Sequence, residues 1–251
     1  GHLCKDMLDY LKDKEIFGSI KYTLVELNPY IMEKQKQLLL GYPSHIKWRP
    51  SLNEVKAQTG CILTNELFDA MPVHLIEIDG EIKEIYVALK EDGFVETIGP
   101  PSTERLNDYL KEFSIELPDG YRTEVNLKAK EWLDEADRAL KEGFILTIDY
   151  GYSAADYYDE ERDRGTLLCY YRHNLSENPY ENIGRQDITA HVNFSALKKW
   201  GEEKGFSSIG FSRQGPYLIS LGIAELAAEK MKSSNDPLEM EMIKGLFMPG
   251  T

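Results

Sequence analysis

Apolar residues recur along the chain at two spacings, and the switch between them marks its organisation. Leu3, Met7 and Leu11, with Cys4 and Leu8 beside them, make one apolar face of an opening helix. Ile20 to Glu26 (IKYTLVE) reads as a short strand. Pro29 stands where a first-turn proline is tolerated and predicts a helix to about Leu40. His45 to Trp48 is a further short extended piece, followed by a helical stretch from Leu52 to Ala57. Gly60 precedes an apolar strand, CILT. Helices and strands alternating in this order predict a parallel sheet with helices on both faces.

That alternation then breaks. VHLIEIDGEIKEIYVAL changes polarity residue by residue around Asp79-Gly80, a strong hairpin signal. The hairpin either packs on its own sheet or forms a dimer edge, so a homodimer is one expectation. A helix is predicted over about Ser102 to Phe113, PDGYR is a turn, and Asn126 opens a second helix through Leu140. A core strand returns at Gly143 with GFILTIDYGY. The expected division is therefore 1–72 and 143–251 for the two halves of an α/β core, with 73–142 as an inserted cap. Further on, GTLLCYYRH (165–173) reads as extended, Ser195–Lys204 as helix and Ser207–Arg213 as strand. Tyr217–Lys232 reads as helix, and the tail as helical to about Leu246.

The 251 residues are 42% hydrophobic and 29% charged, enough for one sizeable core with a subdomain. No apolar run approaches the roughly 20 residues of a membrane span. The opening GHLCKDML lacks a basic segment followed by an apolar block, so no signal peptide is expected. Cys4, Cys61 and Cys169 form no C-x-x-C, which points to a reducing compartment, cytoplasm or organelle matrix. The five histidines lack metal-ligand spacing, so no metal is expected. A net charge of −14 disfavours nucleic acid and favours a cationic partner, though acidity also serves solubility alone.

Three predicted strands end in acids: Glu26 after YTLV, Glu66 after ILTN and Asp149 after ILTI. Ligands of open parallel sheets bind outside the carboxyl ends of strands. A single acid there is more often a helix cap or a solvated loop residue. An acid ending the second core strand can accept hydrogen bonds from both ribose hydroxyls of a nucleoside cofactor. Gly1 fits the last position of a glycine-rich phosphate or methionyl turn. The adenosine belongs either to a dinucleotide or to S-adenosylmethionine. The Tyr-x-x-x-Lys pairs Tyr10/Lys14 and Tyr30/Lys34 lie on the first two helices, away from the expected active edge. That spacing weighs against an NAD-dependent oxidoreductase, which stays as an alternative.

With these residues assembled, the sequence resembles the MidA family of class I S-adenosylmethionine-dependent methyltransferases. The resemblance is carried by GHLCKDMLDYL, YTLVELNPY, TNELFDAMPVH, YRTEVNLKAKEWL, GFILTIDYGY, GTLLCYYRHNLSENPYENIGRQDITAHVNF and QGPYLISLGI. It implies a Rossmann-like core of seven strands, with an α+β insertion between core strands 4 and 5. It also implies S-adenosyl-L-methionine as cofactor. The family has more glycines and a strand before the position of Gly1, and continues past LFMPGT, so a fragment trimmed at both ends is expected. The mitochondrial branch is associated with symmetric arginine dimethylation of a respiratory complex I subunit. The resemblance thus implies a protein arginine N-methyltransferase, in the mitochondrial matrix if the source is eukaryotic. A non-catalytic assembly factor that keeps the fold is the other reading.

Roles follow for individual residues. Gly1, Glu26, Leu27, Ser51, Leu52, Asn65 and Glu66 are expected to line the cofactor, with Asn65 on its methionyl group. Trp48 either flanks the adenine or belongs to the core. Glu66 and Asp69 are expected to face the acceptor, where paired carboxylates bind a guanidinium in a fork and fix its orientation. Asp69 equally fits a helix-cap role, and Asp149 is either a second acceptor carboxylate or a partner of loop amides. GRQDITAHVNF has no apolar period and reads as a loop over the acceptor. In it His191 or Asp187 takes a proton, and Gln186 and Asn193, with Tyr150, touch substrate. A buried polar network pinning that loop is the competing reading for His191.

Overall fold

The computed structural model describes residues 1–91, 93–172, 174–233, 241 and 245. The chain divides into two compact units, Gly1–Trp200 and Gly201–Thr251.

The first unit opens with α1 (His2–Leu11), which buries Cys4 and Leu8 against Leu39 and Ile46. Strand β1 (Tyr22–Val25), helix α2 (Pro29–Leu38) and strand β2 (Ile46–Arg49) form a crossover unit, with β1 and β2 parallel from Tyr22↔Ile46 to Val25↔Arg49. Asn28 caps α2, its Oδ1 accepting from Tyr30 N at 2.9 Å, and Pro29 follows where its missing N–H costs nothing. Strand β3 (Ala57–Asn65) comes next.

The inserted segment is an antiparallel sheet of β4 (His74–Asp79), β5 (Glu81–Lys90) and β6 (Gly93–Gly99), then α3 (Arg105–Glu112) and β7 (Arg122–Val125), in the order β6-β5-β4-β7. Helix α4 (Leu127–Ala139) returns the chain to β8 (Leu140–Ile148), which pairs parallel with β3 from Ala57↔Leu140 to Asn65↔Ile148. Ala136 and Ala139 of α4 pack with Leu52, Ile62 and Ile145, so α4 is the crossover helix of this pair although it falls within 73–142. After β8 come β9 (Gly151–Tyr152), α5 (Ala154–Tyr157), β10 (Leu168–Tyr171), β11 (Asn174–Ser176), β12 (Asp187–Thr189), β13 (Val192–Asn193) and α6 (Phe194–Glu203). β13 lies parallel to β9, and β10 is the centre of β11-β10-β12. The second unit carries α7 (Gln214–Ser220) and α8 (Ile223–Ser233).

Several expectations change. Leu52–Ala57 is not a helix: a single tight turn, Leu52–Glu54, precedes a strand that begins at Ala57 and contains Gly60. β8 begins at Leu140 and supplies backbone partners along that whole length. The hairpin is no dimer edge, because β5 is covered by β6 and β4 by β7. Strands β6 and β7 were not expected. β7 reads RTEV, too polar to signal a core strand, yet Thr123 and Glu124 are buried. GRQDITAHVNF is not all loop, since it yields β12, β13 and the first residue of α6. Ser207–Arg213 forms no strand, with Ile209 79% exposed and lacking the cover a strand there needs. The helix expected over Tyr217–Lys232 breaks at Leu221-Gly222, where Gly222 has φ +87°. The expected tail helix falls largely outside the described residues, as does His173.

Candidate functional site

All three predicted acids stand where strands stop: Glu26 after β1, Glu66 after β3 and Asp149 after β8. Glu26 is held from three sides. Its N–H donates to Arg49 O at 2.9 Å, its Oε1 accepts from Asn28 N at 2.9 Å, and its Oε2 accepts from Gln35 Nε2 at 2.9 Å. The Gln35 amide oxygen accepts from the Trp48 indole at 3.1 Å. Gly1 sits on this group: a Cβ there would lie 3.2 Å from Gln35 Cγ and 3.3 Å from Leu38 Cδ2. Leu27 is 82% exposed beyond Glu26, and Ser51 Oγ accepts from Asn53 N at 3.2 Å.

Across the β3–β8 pair, Asn65 and Glu66 are exposed at the strand exit. Glu66 N–H donates to Ile148 O at 2.9 Å, prolonging the ladder by one bond, and its backbone turns left-handed with φ 49°. That conformation is costly without a glycine and is kept where the surroundings enforce it. The enforcement comes from Asp149: its Oδ2 accepts from Leu67 N at 3.1 Å and Phe68 N at 2.9 Å, and its Oδ1 accepts from Tyr150 N at 3.0 Å. Phe68 is then driven into the core edge-on to Trp132, at 5.0 Å between centroids. Asn126 both caps α4 through Ala129 N and donates to Phe68 O, each at 3.0 Å.

Asp69 is buried behind this turn, and its Oδ1 has no hydrogen-bond partner among the described residues. Burial raises the pKa of Asp69 and of Asp149, and the Asp69 charge raises that of Asp149 further. Tyr150 is 61% exposed, and the Glu66 carboxylate beside it is the largest cause that pushes its hydroxyl up, followed by burial and Tyr170.

The segment after β12 closes the group. Ala190 N donates to Asp69 O at 3.0 Å and Val192 N to Tyr150 O at 2.8 Å. The approach is so tight that a Cβ on Gly151 would lie 2.0 Å from Val192 O. Glycine is needed there for close contact. His191 packs 5.2 Å from the Tyr152 ring, which carries the Arg162 guanidinium at 4.2 Å. Burial first, then Arg162, lowers the His191 ionisation, while Asp69 raises it. Its Nδ1 is buried without a partner among the described residues.

His191 N–H donates to Thr166 Oγ1 at 2.9 Å, and that hydroxyl donates to the buried Glu124 at 3.1 Å. Glu124 also accepts from the amides of Thr166 and Leu167 and from Tyr157 OH. Burial pushes its pKa up, and these donors oppose the shift. A cleft of about 450 Å³ reaches His191 past Arg122, Arg162, Arg164 and Glu177.

Over residues 1–212 the chain matches a family described as "Putative S-adenosyl-L-methionine-dependent methyltransferase". The chain belongs to this methyltransferase family. Curated relatives include the protein arginine methyltransferase NDUFAF7 homolog, mitochondrial, of Caenorhabditis elegans, 23% identical over 277 residues, or 97% of this chain and 60% of that protein. The Drosophila melanogaster protein of the same name is 24% identical over 271 residues, with the same two coverages, 97% and 60%. The chain thus spans about 60% of the length of the curated relatives it matches. A Burkholderia thailandensis protein described as a "likely methyl transferase", solved bound to S-adenosyl-homocysteine, superposes with a TM-score of 0.80 at 29% identity, over 90% of this chain and 59% of that one. A native crystal structure of an uncharacterized superfamily protein from the same organism gives 0.80 and 29% over 90% and 62%. The fold is the class I methyltransferase α/β fold with an inserted antiparallel sheet. Family membership sets aside the nicotinamide alternative.

Among the expected site residues, one group forms around the ends of β3 and β8: Glu66, Asp69, Asp149, Tyr150 and His191. Gly1 and Glu26 form a second group, around Gln35. Leu52 is 6% exposed and packs with Ala136 and Ala139, so it serves the core. Asn193 is occupied internally, donating to Tyr109 OH at 2.8 Å and capping α6 through Ala196 N at 3.2 Å. Gln186 donates to Asn178 O at 3.1 Å. Asp187 is exposed on β12, paired across the ladder with Tyr170. Reading the sequence missed Gln35, which bonds to Glu26, and Thr166 and Glu124, which bond in series behind the His191 backbone. The one signal was Glu124 at an alternating position in TEVNL, next to residues that are buried.

Proposed function

We propose that this chain forms the cofactor and acceptor sites of an S-adenosyl-L-methionine-dependent protein arginine methyltransferase. The observation that carries this reading is Glu66, an exposed carboxylate held in left-handed backbone by Asp149 at the end of β3. When bound, the cofactor supplies an electrophilic methyl group. The residues of the Glu26 edge fit it: each Glu26 oxygen accepts one bond and keeps a lone pair for one ribose hydroxyl. Gly1 gives the close backbone approach such a cofactor needs. The relatives named as arginine methyltransferases, the net charge of −14 and the exposed Glu66–Tyr150 pair all favour a cationic acceptor.

A guanidinium is a weak nucleophile because its lone pair is delocalised. Glu66 would bind it in a fork, concentrate charge on the far nitrogens and orient the near one. Tyr150 offers a ring face alongside. His191, kept neutral by burial, would take the acceptor's proton at Nδ1, with Asp69 behind it to stabilise the imidazolium. A reducing compartment suits the free thiol of exposed Cys61. Among the described residues no helix is long and apolar enough to cross a membrane.

The test is transfer of labelled methyl groups to arginyl peptides, run beside calorimetric titration of S-adenosylhomocysteine. Glu66→Gln should lower transfer about 10²–10³-fold with cofactor affinity kept, and Glu26→Ala should abolish cofactor binding. Transfer unchanged in Glu66→Gln would sink the role assigned to Glu66, and cofactor binding without any transfer by the unmodified protein would favour a non-catalytic assembly factor.

A further inference from the structure

Gln35 lies on the inner face of α2 at 8% exposure, next to the apolar cluster of Cys4, Leu8, Leu39 and Ile46. A primary amide in such a place is unfavourable unless both its ends are hydrogen-bonded. An amide can be placed either way round, and here the surroundings decide. The Trp48 indole N–H is a donor only, so it must meet the amide oxygen, at 3.1 Å. The NH₂ end is thereby turned toward Glu26 Oε2 at 2.9 Å.

We propose that Gln35 is a positioning residue that aims the Glu26 carboxylate at a ribose, with Trp48 setting the polarity of the amide. This rests on the cofactor reading above. Asn28 N and Gln35 Nε2 donate to different oxygens of Glu26, which stops the carboxylate from rotating. The lone pair left on each oxygen then points to one of two neighbouring hydroxyls. Gly1 lies against the stem of this side chain, a Cβ built there falling 3.2 Å from Gln35 Cγ. The device selects ligands that carry both ribose hydroxyls.

The experiment is calorimetric titration of the intact protein with S-adenosylhomocysteine and with its 2′-deoxy analogue. The unmodified protein should prefer the ribose form by about tenfold or more, the worth of a hydrogen bond to a charged group. Gln35→Leu should lower affinity for the ribose form about tenfold and shrink the preference to within about threefold. Gln35→Glu keeps the size and an acceptor for Trp48 but sets a second carboxylate against Glu26. Its affinity should be poor near pH 8 and recover as acid lets the pair share a proton. Trp48→Phe should fall between the two, since the amide is then free to turn. A Gln35→Leu protein that binds S-adenosylhomocysteine with the full ribose preference would overturn this proposal alone. No binding by the unmodified protein would remove the cofactor reading and this proposal with it.

Discussion

The two carboxylate groups are built on opposite terms. At the end of β1, both oxygens of Glu26 and both ends of the Gln35 amide have partners. At the ends of β3 and β8, Asp69 Oδ1 and His191 Nδ1 are buried without one among the described residues, and Glu66 is held at a positive φ. Each buried polar atom left unpaired costs about 1–3 kcal/mol, so a fold tolerates few of them. The Glu26 edge is preorganised, with its geometry settled by the protein alone. The Glu66 edge stores its cost, which a substrate atom can relieve. On the proposed reading, a ribose that takes no part in the chemistry suits the first arrangement, and an acceptor that must give up a proton suits the second.

The largest effect should come from filling the space that the Glu66 edge keeps clear. Gly165 has φ +83°, and a Cβ there would lie 2.3 Å from Glu124 Oε1 and 2.9 Å from its Cδ. Gly165→Ala must shift Glu124 or the turn, and should cost about 3 kcal/mol of unfolding free energy in denaturant titration. The contrast between the edges is sharpened if the folded variant still binds S-adenosylhomocysteine normally. An equal loss of cofactor affinity would break it. Glu124→Gln keeps the shape and should cost less, about 2 kcal/mol, because its NH₂ would face donors from Thr166, Leu167 and Tyr157. It should also slow transfer by loosening Thr166 beneath His191, whereas a mere helper of stability would leave the rate per folded molecule unchanged.

Much of this contrast was legible in the sequence, and the physical reason differs from part to part. Glu26, Glu66 and Asp149 were found because strand ends follow from apolar runs, and YTLV, ILTN and ILTI are such runs. The hairpin at Asp79-Gly80 is local turn chemistry and was equally plain. β7 escaped because its polar residues are buried through bonds to distant partners: Glu124 meets Thr166 and Leu167 only after the chain has folded. The segment 207–213 misled for the reverse reason, as its apolar residues signal a strand but pair with no strand among the described residues. Asp149 posed two alternatives that sequence left level, and its three amide bonds answer for the loop. No residue spacing could have told that Gln35 rather than Lys34 or Gln37 faces inward to Glu26, since that depends on where β2 brings Trp48.

The smallest effect concerns protons. His191 is held below its ordinary value near 6.5 by burial and by Arg162, against the pull of Asp69. The unfolded chain therefore takes up the proton first as pH falls. Stability must drop with acidification from about 6.5 down to the depressed folded value. Asp69, Asp149 and Glu124 have raised values, so their contribution runs the other way: full below the ordinary carboxylate range and lost as pH rises through the raised values. Those groups remain in His191→Gln and largely cancel when the two proteins are compared. The urea midpoint of the unmodified protein should fall more between about pH 7.5 and pH 5.5 than that of His191→Gln. Equal falls would mean that His191 titrates in the folded protein as it does in water. Its Nδ1 would then already be solvated, and the acceptor edge would hold no unpaired nitrogen for a substrate proton to meet.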